Sequence, residues 1–344
     1  MYRPNLWRVV KLCFALALGV SVTQGRADMV AQSQMLLGNL DNATSSANNK
    51  EHFLIQANQF SLSYNDTLHF PNWVSWHLNA GDVGGTSRGQ FQPDTSLPSG
   101  FTVITPSDYT RSGYDRGHNC PSADRSDTRA NNDAVFKMTN MTPQAHGLNA
   151  GPWEQLESYC RTLAKQGNEL YIVCGHGFSA PTHDTVGRAQ IAVPDFGWKV
   201  VVVIPDRSGN DLNRITAQTR VIAVKMPNIN TVSKQIWTRY LVTPAQVEQA
   251  TGLHLFTALP PQVATVLKAK LDTGGSTAST GRAPANARET QTPPAEGGDG
   301  KVWVNTKSGA FWRPGTQYYG KTKEGKYMTE TEALKAGYHP AGGR

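Results

Sequence analysis

The stretch Tyr114-Asp115-Arg116-Gly117-His118-Asn119-Cys120 decides how this chain is read, together with Asn140 and the spaced set Asn149…Glu157…Arg161 downstream. Asp-Arg-Gly-His is short enough to recur by chance, so the motif alone says little. The longer order matters because it collects a general base, a hard-metal ligand and phosphate-binding arginines. Those are the parts needed to break a phosphodiester bond with one divalent cation.

Hydrophobic spacing frames these residues as strand, strand and helix. Asp115–Cys120 reads as a short strand leaving a turn at Gly113, and Val135–Met141 as a second strand. Residues 151–166 carry Trp153, Leu156, Cys160 and Leu163 at helical spacing, with Gly167-Asn168 as the stop. His118 then ends a strand, Asn149 precedes the helix, and Glu157 and Arg161 are i,i+4 neighbours on it. An imidazole with an ordinary pKa of about 6.5 can take a proton from water near neutral pH, which makes His118 the candidate general base. Asn149 offers a neutral carbonyl oxygen, sufficient for Mg²⁺, an ion that keeps most of its waters. Glu157 can hold those waters, and Arg88, Arg116 and Arg161 can clamp a phosphate and offset charge developing on it. Asn140, within Thr139-Asn-Met-Thr-Pro-Gln144, can orient the phosphate or its own loop. Each has a plainer use: a packed histidine, a helix cap at Asn149, a surface Glu157–Arg161 bridge worth little, solvated arginines, a strand-end turn at Asn140.

Further out, Phe60–Tyr64 and Trp73–Leu78 alternate around Asn65-Asp66 and read as a hairpin. Leu170–Cys174, Trp198–Ile204 and Arg220–Lys225 are apolar enough for central strands. Thr243-Pro244 opens a helix running to about Thr251. Strand runs with few helices and no regular alternation make the class α+β. Residues 28–50 read as an irregular arm. Residues 273–300 hold no large apolar side chain and read as a flexible linker. Residues 301–344 form a small basic module with Trp303, Phe311-Trp312 and Tyr318-Tyr319, whose aromatics are expected to be mostly its core, and with a capping box at Thr329…Glu332.

The N-terminus predicts export. Arg3, Arg8 and Lys11 precede the apolar run Leu12–Val22, and Gly25-Arg26-Ala27 suits signal-peptidase cleavage near Ala27, placing the protein in the periplasm or outside the cell. That run is far shorter than the roughly 20 residues of a membrane span. The whole chain carries 33 Lys+Arg against 26 Asp+Glu, net +7. Residues 1–27 hold four of the basic residues and no acid, and residues 301–344 hold eight basic and three acidic, so residues 28–300 are left at 21 against 23, or −2. Bulk charge therefore gives the main domain no pull on nucleic acid, and attraction must come from placed arginines and a metal. Cleavage removes Cys13 and leaves Cys120, Cys160 and Cys174, so one bridge at most can form, with Cys160 and Cys174 the pair able to meet.

The chain resembles the DNA/RNA non-specific endonucleases, the ββα-metal group that includes secreted bacterial nucleases and mitochondrial endonuclease G. The resemblance rests on Tyr114–Arg125, Thr139–Gln144 and Leu148-Asn-Ala-Gly-Pro-Trp-Glu-Gln-Leu-Glu157…Arg161, with Trp73–Trp76 and Ser87-Arg88…Pro93-Asp94 upstream, and covers roughly Phe53 to Leu271. It implies a central, mostly antiparallel sheet flanked by helices. It further implies His118 as general base, Asn149 as the one direct ligand to Mg²⁺ (with Mn²⁺ as a substitute), and Glu157 acting through water. Arg88, Arg116, Arg161 and Asn140 would support the phosphate. DNA and RNA would both be substrates, cut to 5′-phosphate and 3′-hydroxyl ends, and a homodimer is compatible with the family. The resemblance covers neither linker nor tail; the tail's charge suits nucleic acid or a polyanionic wall. Two other readings compete: a non-catalytic nucleic-acid or cell-wall binding protein that keeps the fold, and a zinc site from His118, Cys120, Cys174 and His176, whose spacings match no common pattern.

Overall fold

The computed structural model describes residues 34–207, 209–273, 301–306, 309–312, 319 and 325–340. The expected signal peptide, residues 274–300 of the expected linker and Tyr318 lie outside the described residues. The chain divides into two compact units, Met1–Ala278 and Ser279–Arg344.

In the larger unit the described strands are β1 (Phe53–Gln56), β2 (Ser61–Asn65), β3 (Phe70–Leu78), β4 (Asp115–His118), β5 (Met141–Gln144), β6 (Asn168–Gly177), β7 (Thr185–Val186), β8 (Ile191–Ala192), β9 (Phe196–Pro205) and β10 (Arg220–Pro227). The main helices are α1 (Arg129–Ala134), α2 (Glu154–Lys165), α3 (Pro244–Thr251) and α4 (Pro261–Lys268). Six strands make one antiparallel sheet in the order β1-β2-β3-β6-β9-β10. The two longest, β6 and β9, lie inside it, and Val200 to Val202 are buried on both faces. That is why they read as continuous apolar runs rather than alternating ones.

Side-chain alternation splits the sheet into two cores. Val74, Trp76, Ile172, Cys174, Val201 and Val203 pack on one face with Leu156 and Cys160 of α2. Trp73, Tyr171, Trp198, Val200 and Val202 pack on the other with Val247, Leu267 and, from the irregular N-terminal arm, Leu37 and Leu40. The catalytic candidates lie on the α2 side, where β4 and β5 pair antiparallel as a separate ribbon, with Gly117 opposite Thr142 and His118 opposite Met141.

The expected strand over Val135–Met141 is corrected. α1 ends at Ala134, residues Met138–Asn140 form a 3₁₀ turn, and extension starts only at Met141. Val135, Phe136 and Met138 are all buried, and a short apolar run of that kind does not distinguish strand from turn. Among the described residues no helix is long and apolar enough to cross a membrane.

The smaller unit orders β11 (Lys301–Val304), β12 (Ala310–Trp312), β13 (Lys326–Thr329), helix α5 (Glu330–Lys335) and β14 (His339–Pro340) as the sheet β13-β11-β12-β14. Thr329 and Glu332 cap α5 reciprocally, as their spacing predicts. Its described core is Val302, Val304, Phe311 and Ala333. Trp303, on the other side of the β11 pleat, is half-buried against Tyr327, so the expectation that most aromatics form the core does not hold for this pair.

Candidate active site

A cleft of about 660 Å³ opens where the β4–β5 ribbon meets α2. Arg88, Arg116, His118, Asn149, Glu157 and Arg161 all line it. The structure thus brings together six of the seven residues singled out in the sequence.

The ribbon is pinned before the chemistry begins. Gly117 is required because a Cβ there would lie 2.2 Å from Gln144 Oε1. At the ribbon's end Asn119 Nδ2 donates to Asn140 O and Thr142 Oγ1, both at 3.0 Å, and Cys120 N donates to Asn140 Oδ1 at 3.0 Å. Asn140 Nδ2 in turn donates to Cys120 O and Val135 O. Asn140 is fully buried with its amide committed on both sides. It holds the loop that presents His118, the second of the two uses read for it, and is not among the residues that line the cleft.

His118 sits between two phenyl rings that the sequence did not flag. Phe136 meets it edge-on at 4.7 Å between centroids, and Phe91 lies at 5.4 Å. Among the described residues neither ring nitrogen has a hydrogen-bond partner, and Nε2 is buried. Burial, and after it the Arg88 charge, pushes the His118 pKa down to about 3. The imidazole is therefore neutral at physiological pH and free to accept a proton, although the same burial lowers its basicity. The same rings carry two arginines: the Arg88 guanidinium lies 5.2 Å from Phe136 and that of Arg116 5.1 Å from Phe91. Arg116 also donates from Nε and Nη2 to Pro106 O. Backbone bonds from Gln92 N to Phe136 O and from Met138 N to Gln92 O tie the Arg88–Gln92 loop to this wall.

Opposite this wall the chain kinks into α2. A wide turn over Asn149–Trp153, broken at Gly151 and followed by Pro152, precedes the regular helix. Gly147 lets this segment dock, since a Cβ there would fall 2.2 Å from Asn230 O. Asn149 Nδ2 donates to Asp115 Oδ2 at 2.9 Å, and His146 Nδ1 bonds the same oxygen at 2.8 Å. Asp115 thereby fixes the Asn149 amide through its nitrogen and leaves the carbonyl oxygen as the free end.

Glu157 and Arg161 do not form the i,i+4 bridge that the sequence allows. Glu157 Oε1 accepts from Lys199 Nζ at 3.1 Å. Arg161 donates to Asp124 Oδ1 at 3.0 Å and to Glu154 Oε1 at 3.4 Å. Burial raises the Glu157 pKa while Lys199 opposes that rise, and the Glu157 charge raises Lys199 in spite of its burial. Lys199 was missed, although one charged residue inside Trp198-Lys-Val-Val-Val-Val-Ile204 was the available signal. A cation on a central strand requires a buried partner.

The donor set suits a hard cation. Asn149 supplies a free carbonyl oxygen and Glu157 a carboxylate, both lining the cleft, and all-oxygen sites favour Mg²⁺. Among the described residues no three His, Cys, Asp or Glu side chains are placed to hold a metal. An ion here would depend on Asn149 and on water. The zinc reading also lacks its ligands: His176 Nε2 bonds Gln144 Nε2 at 2.9 Å, and Cys174 Sγ faces Asn119 O. Cys120, Cys160 and Cys174 are all free and buried, so the bridge that Cys160 and Cys174 were able to make is not formed. Burial pushes the Cys160 and Cys174 thiols up to about 12.

The model of the DNA/RNA non-specific endonuclease family matches residues 38–262. The chain belongs to that family. As a family member it is an endonuclease, a divalent-metal-dependent hydrolase. A nuclease from Nostoc sp. is 40% identical over 268 residues, covering 75% of this endonuclease and 95% of the relative. The mitochondrial nuclease EXOG of Danio rerio is 31% identical over 58% of this chain and 60% of its own. A crystal structure of the EndoG/EndoGI complex, described as showing the mechanism of EndoG inhibition, matches with TM-score 0.56 at 25% identity. It covers 67% of this endonuclease and 92% of that chain.

Proposed function

We propose that this endonuclease is exported and cuts both DNA and RNA with one Mg²⁺ and a histidine base, leaving 5′-phosphate and 3′-hydroxyl ends. One observation carries the reading: a neutral imidazole with unbonded nitrogens faces a cleft that also holds the free Asn149 oxygen, Glu157 and three arginines.

In this scheme His118 takes a proton from the attacking water, and its aromatic packing fixes the ring's direction. Arg161 and Arg116 draw charge from the phosphate as the pentacoordinate centre forms, and Arg88, exposed on the rim, binds the incoming backbone. Asn149 and Glu157 would hold the Mg²⁺ and its waters, and the bound ion would supply Lewis-acid charge beside the phosphate and the leaving 3′-oxygen. The Leu12–Val22 run before Gly25-Arg26-Ala27 supports export. The three buried thiols are compatible with an oxidising compartment, since burial keeps them unreactive.

The test is digestion of supercoiled plasmid and of single-stranded RNA by the full chain. Cutting of both with Mg²⁺, none with chelator, and a drop of about 10²–10⁴-fold in His118→Ala are expected. Products should accept a 5′ label only after phosphatase treatment. Wild-type protein inert with Mg²⁺, or unaffected by His118→Ala, would sink the reading.

A further inference from the structure

Glu157 and Arg161 sit one turn apart on α2, where an isolated helix would pair them. Both line the cleft, yet each is drawn to a different buried partner. Lys199 is 1% exposed on β9 and directly opposite Cys174, on the sheet face that meets α2. Its ammonium lies 4.1 Å from the Trp153 ring centre and 5.5 Å from that of Trp76. Asp124 is equally buried, and Trp76 Nε1 donates to its Oδ2 at 3.0 Å. One indole therefore touches both ion pairs. A buried ion pair is weak evidence for a stabilising role, because replacing both partners with well-packed apolar residues is often neutral or stabilising.

We infer that Lys199 is a positioning residue for the cleavage reaction: by holding Glu157 Oε1, while Asp124 holds Arg161, it keeps the carboxylate and the guanidinium apart so that each reaches the cleft separately. The inference rests on the function proposed above. Without Lys199, the nearest cation on the same helix face is Arg161. Glu157 would turn onto it, leaving the metal's waters without their acceptor and the phosphate without its arginine.

The test compares full-length wild type, Lys199→Met, Glu157→Gln and the double variant. Mg²⁺ binding is measured by calorimetry without nucleic acid, kcat and KM by plasmid cleavage, and folding by thermal melting. Lys199→Met is expected to weaken Mg²⁺ binding by about 10–100-fold and to lower kcat to a similar extent, as losses of groups behind metal ligands do. The double variant should be no worse than Glu157→Gln alone, because both changes act through one carboxylate. Lys199→Arg should recover part of the loss. A folded Lys199→Met within about threefold of wild type in both Mg²⁺ affinity and kcat overturns the inference, as do losses that multiply in the double variant. If Lys199→Met does not fold, the double variant, which removes both charges, decides by the same comparison with Glu157→Gln. Wild type that neither binds Mg²⁺ nor cuts overturns the functional reading and this inference with it; wild type that does both beside an unaffected Lys199→Met overturns the inference alone.

Discussion

The two walls of the cleft are built on different physics. On the β4 side, His118, Arg88 and Arg116 lean on the faces and edges of Phe91 and Phe136, and among the described residues no carboxylate pairs with any of the three. On the α2 side every functional group is tied to an opposite charge or a hydrogen-bond partner: Asn149 to Asp115, Glu157 to Lys199, Arg161 to Asp124. The aromatic wall keeps its base neutral and its arginines available. The polar wall fixes direction, because a charge-assisted bond sets an angle more tightly than a ring contact does. His118 thus sits where burial holds it neutral, and Glu157 and Arg161 sit where an opposite charge holds theirs.

Among the arginines, the larger expected effect lies on the polar wall. Arg161→Ala should lower kcat by about 10²–10³-fold, the usual loss of a preorganised charge donor, whereas exposed Arg88→Ala should cost about tenfold and mostly in KM. Steady-state plasmid cleavage checks this, and equal losses at the two positions would erase the contrast between the walls. Next comes acid stability. Burial first, then Arg88 for His118 and Lys199 for His176, pushes both histidines down to about 3. Both stay neutral in the fold but take up a proton near 6.5 once unfolded, so their contribution is complete above that pH and is lost progressively below it. At pH 5.5 the pair should cost about 3 kcal/mol relative to pH 8, a loss that melting curves would reveal and that a His118→Leu/His176→Leu variant should lack. The smallest effect is Phe136→Leu, which should cost about 1 kcal/mol of stability and lower kcat several-fold by loosening His118. A lowered melting point with unchanged kcat would reduce that ring to packing.

Much of this was legible because apolar spacing is a local signal. The Phe60–Tyr64/Trp73–Leu78 hairpin, the β6 and β9 runs and the α2 helix follow from side-chain period. His118, Asn149, Glu157 and Arg161, which line one cleft, could be singled out because their residue types carry chemistry at a fixed order. What the sequence hid was pairing over distance. Phe91, Phe136, Asp124 and Lys199 belong to the site only through contacts across the fold, such as Asp124 with Arg161, 37 residues apart, and Lys199 with Glu157, 42 apart. Which of its two uses Asn140 serves was hidden for the same reason: its amide bonds Cys120, 20 residues upstream, and nothing in its neighbourhood says so. Helical neighbours also misled, since i,i+4 spacing suggested a Glu157–Arg161 bridge that tertiary partners override.

The wide turn over Asn149–Trp153 makes residue number, rather than residue identity, part of the site. It places Asn149 beside Asp115 before the regular helix starts at Glu154. Removing a single residue between them, such as Ala150, would let the helix run regular through the turn and swing the Asn149 amide by roughly 100° about the axis. Every side chain of the site would still be present in such a chain, and an alignment of its motifs would score almost unchanged. In this cleft the count of residues between Leu148 and Trp153 fixes where the Asn149 amide points, as firmly as the identity of Asn149 fixes what it carries.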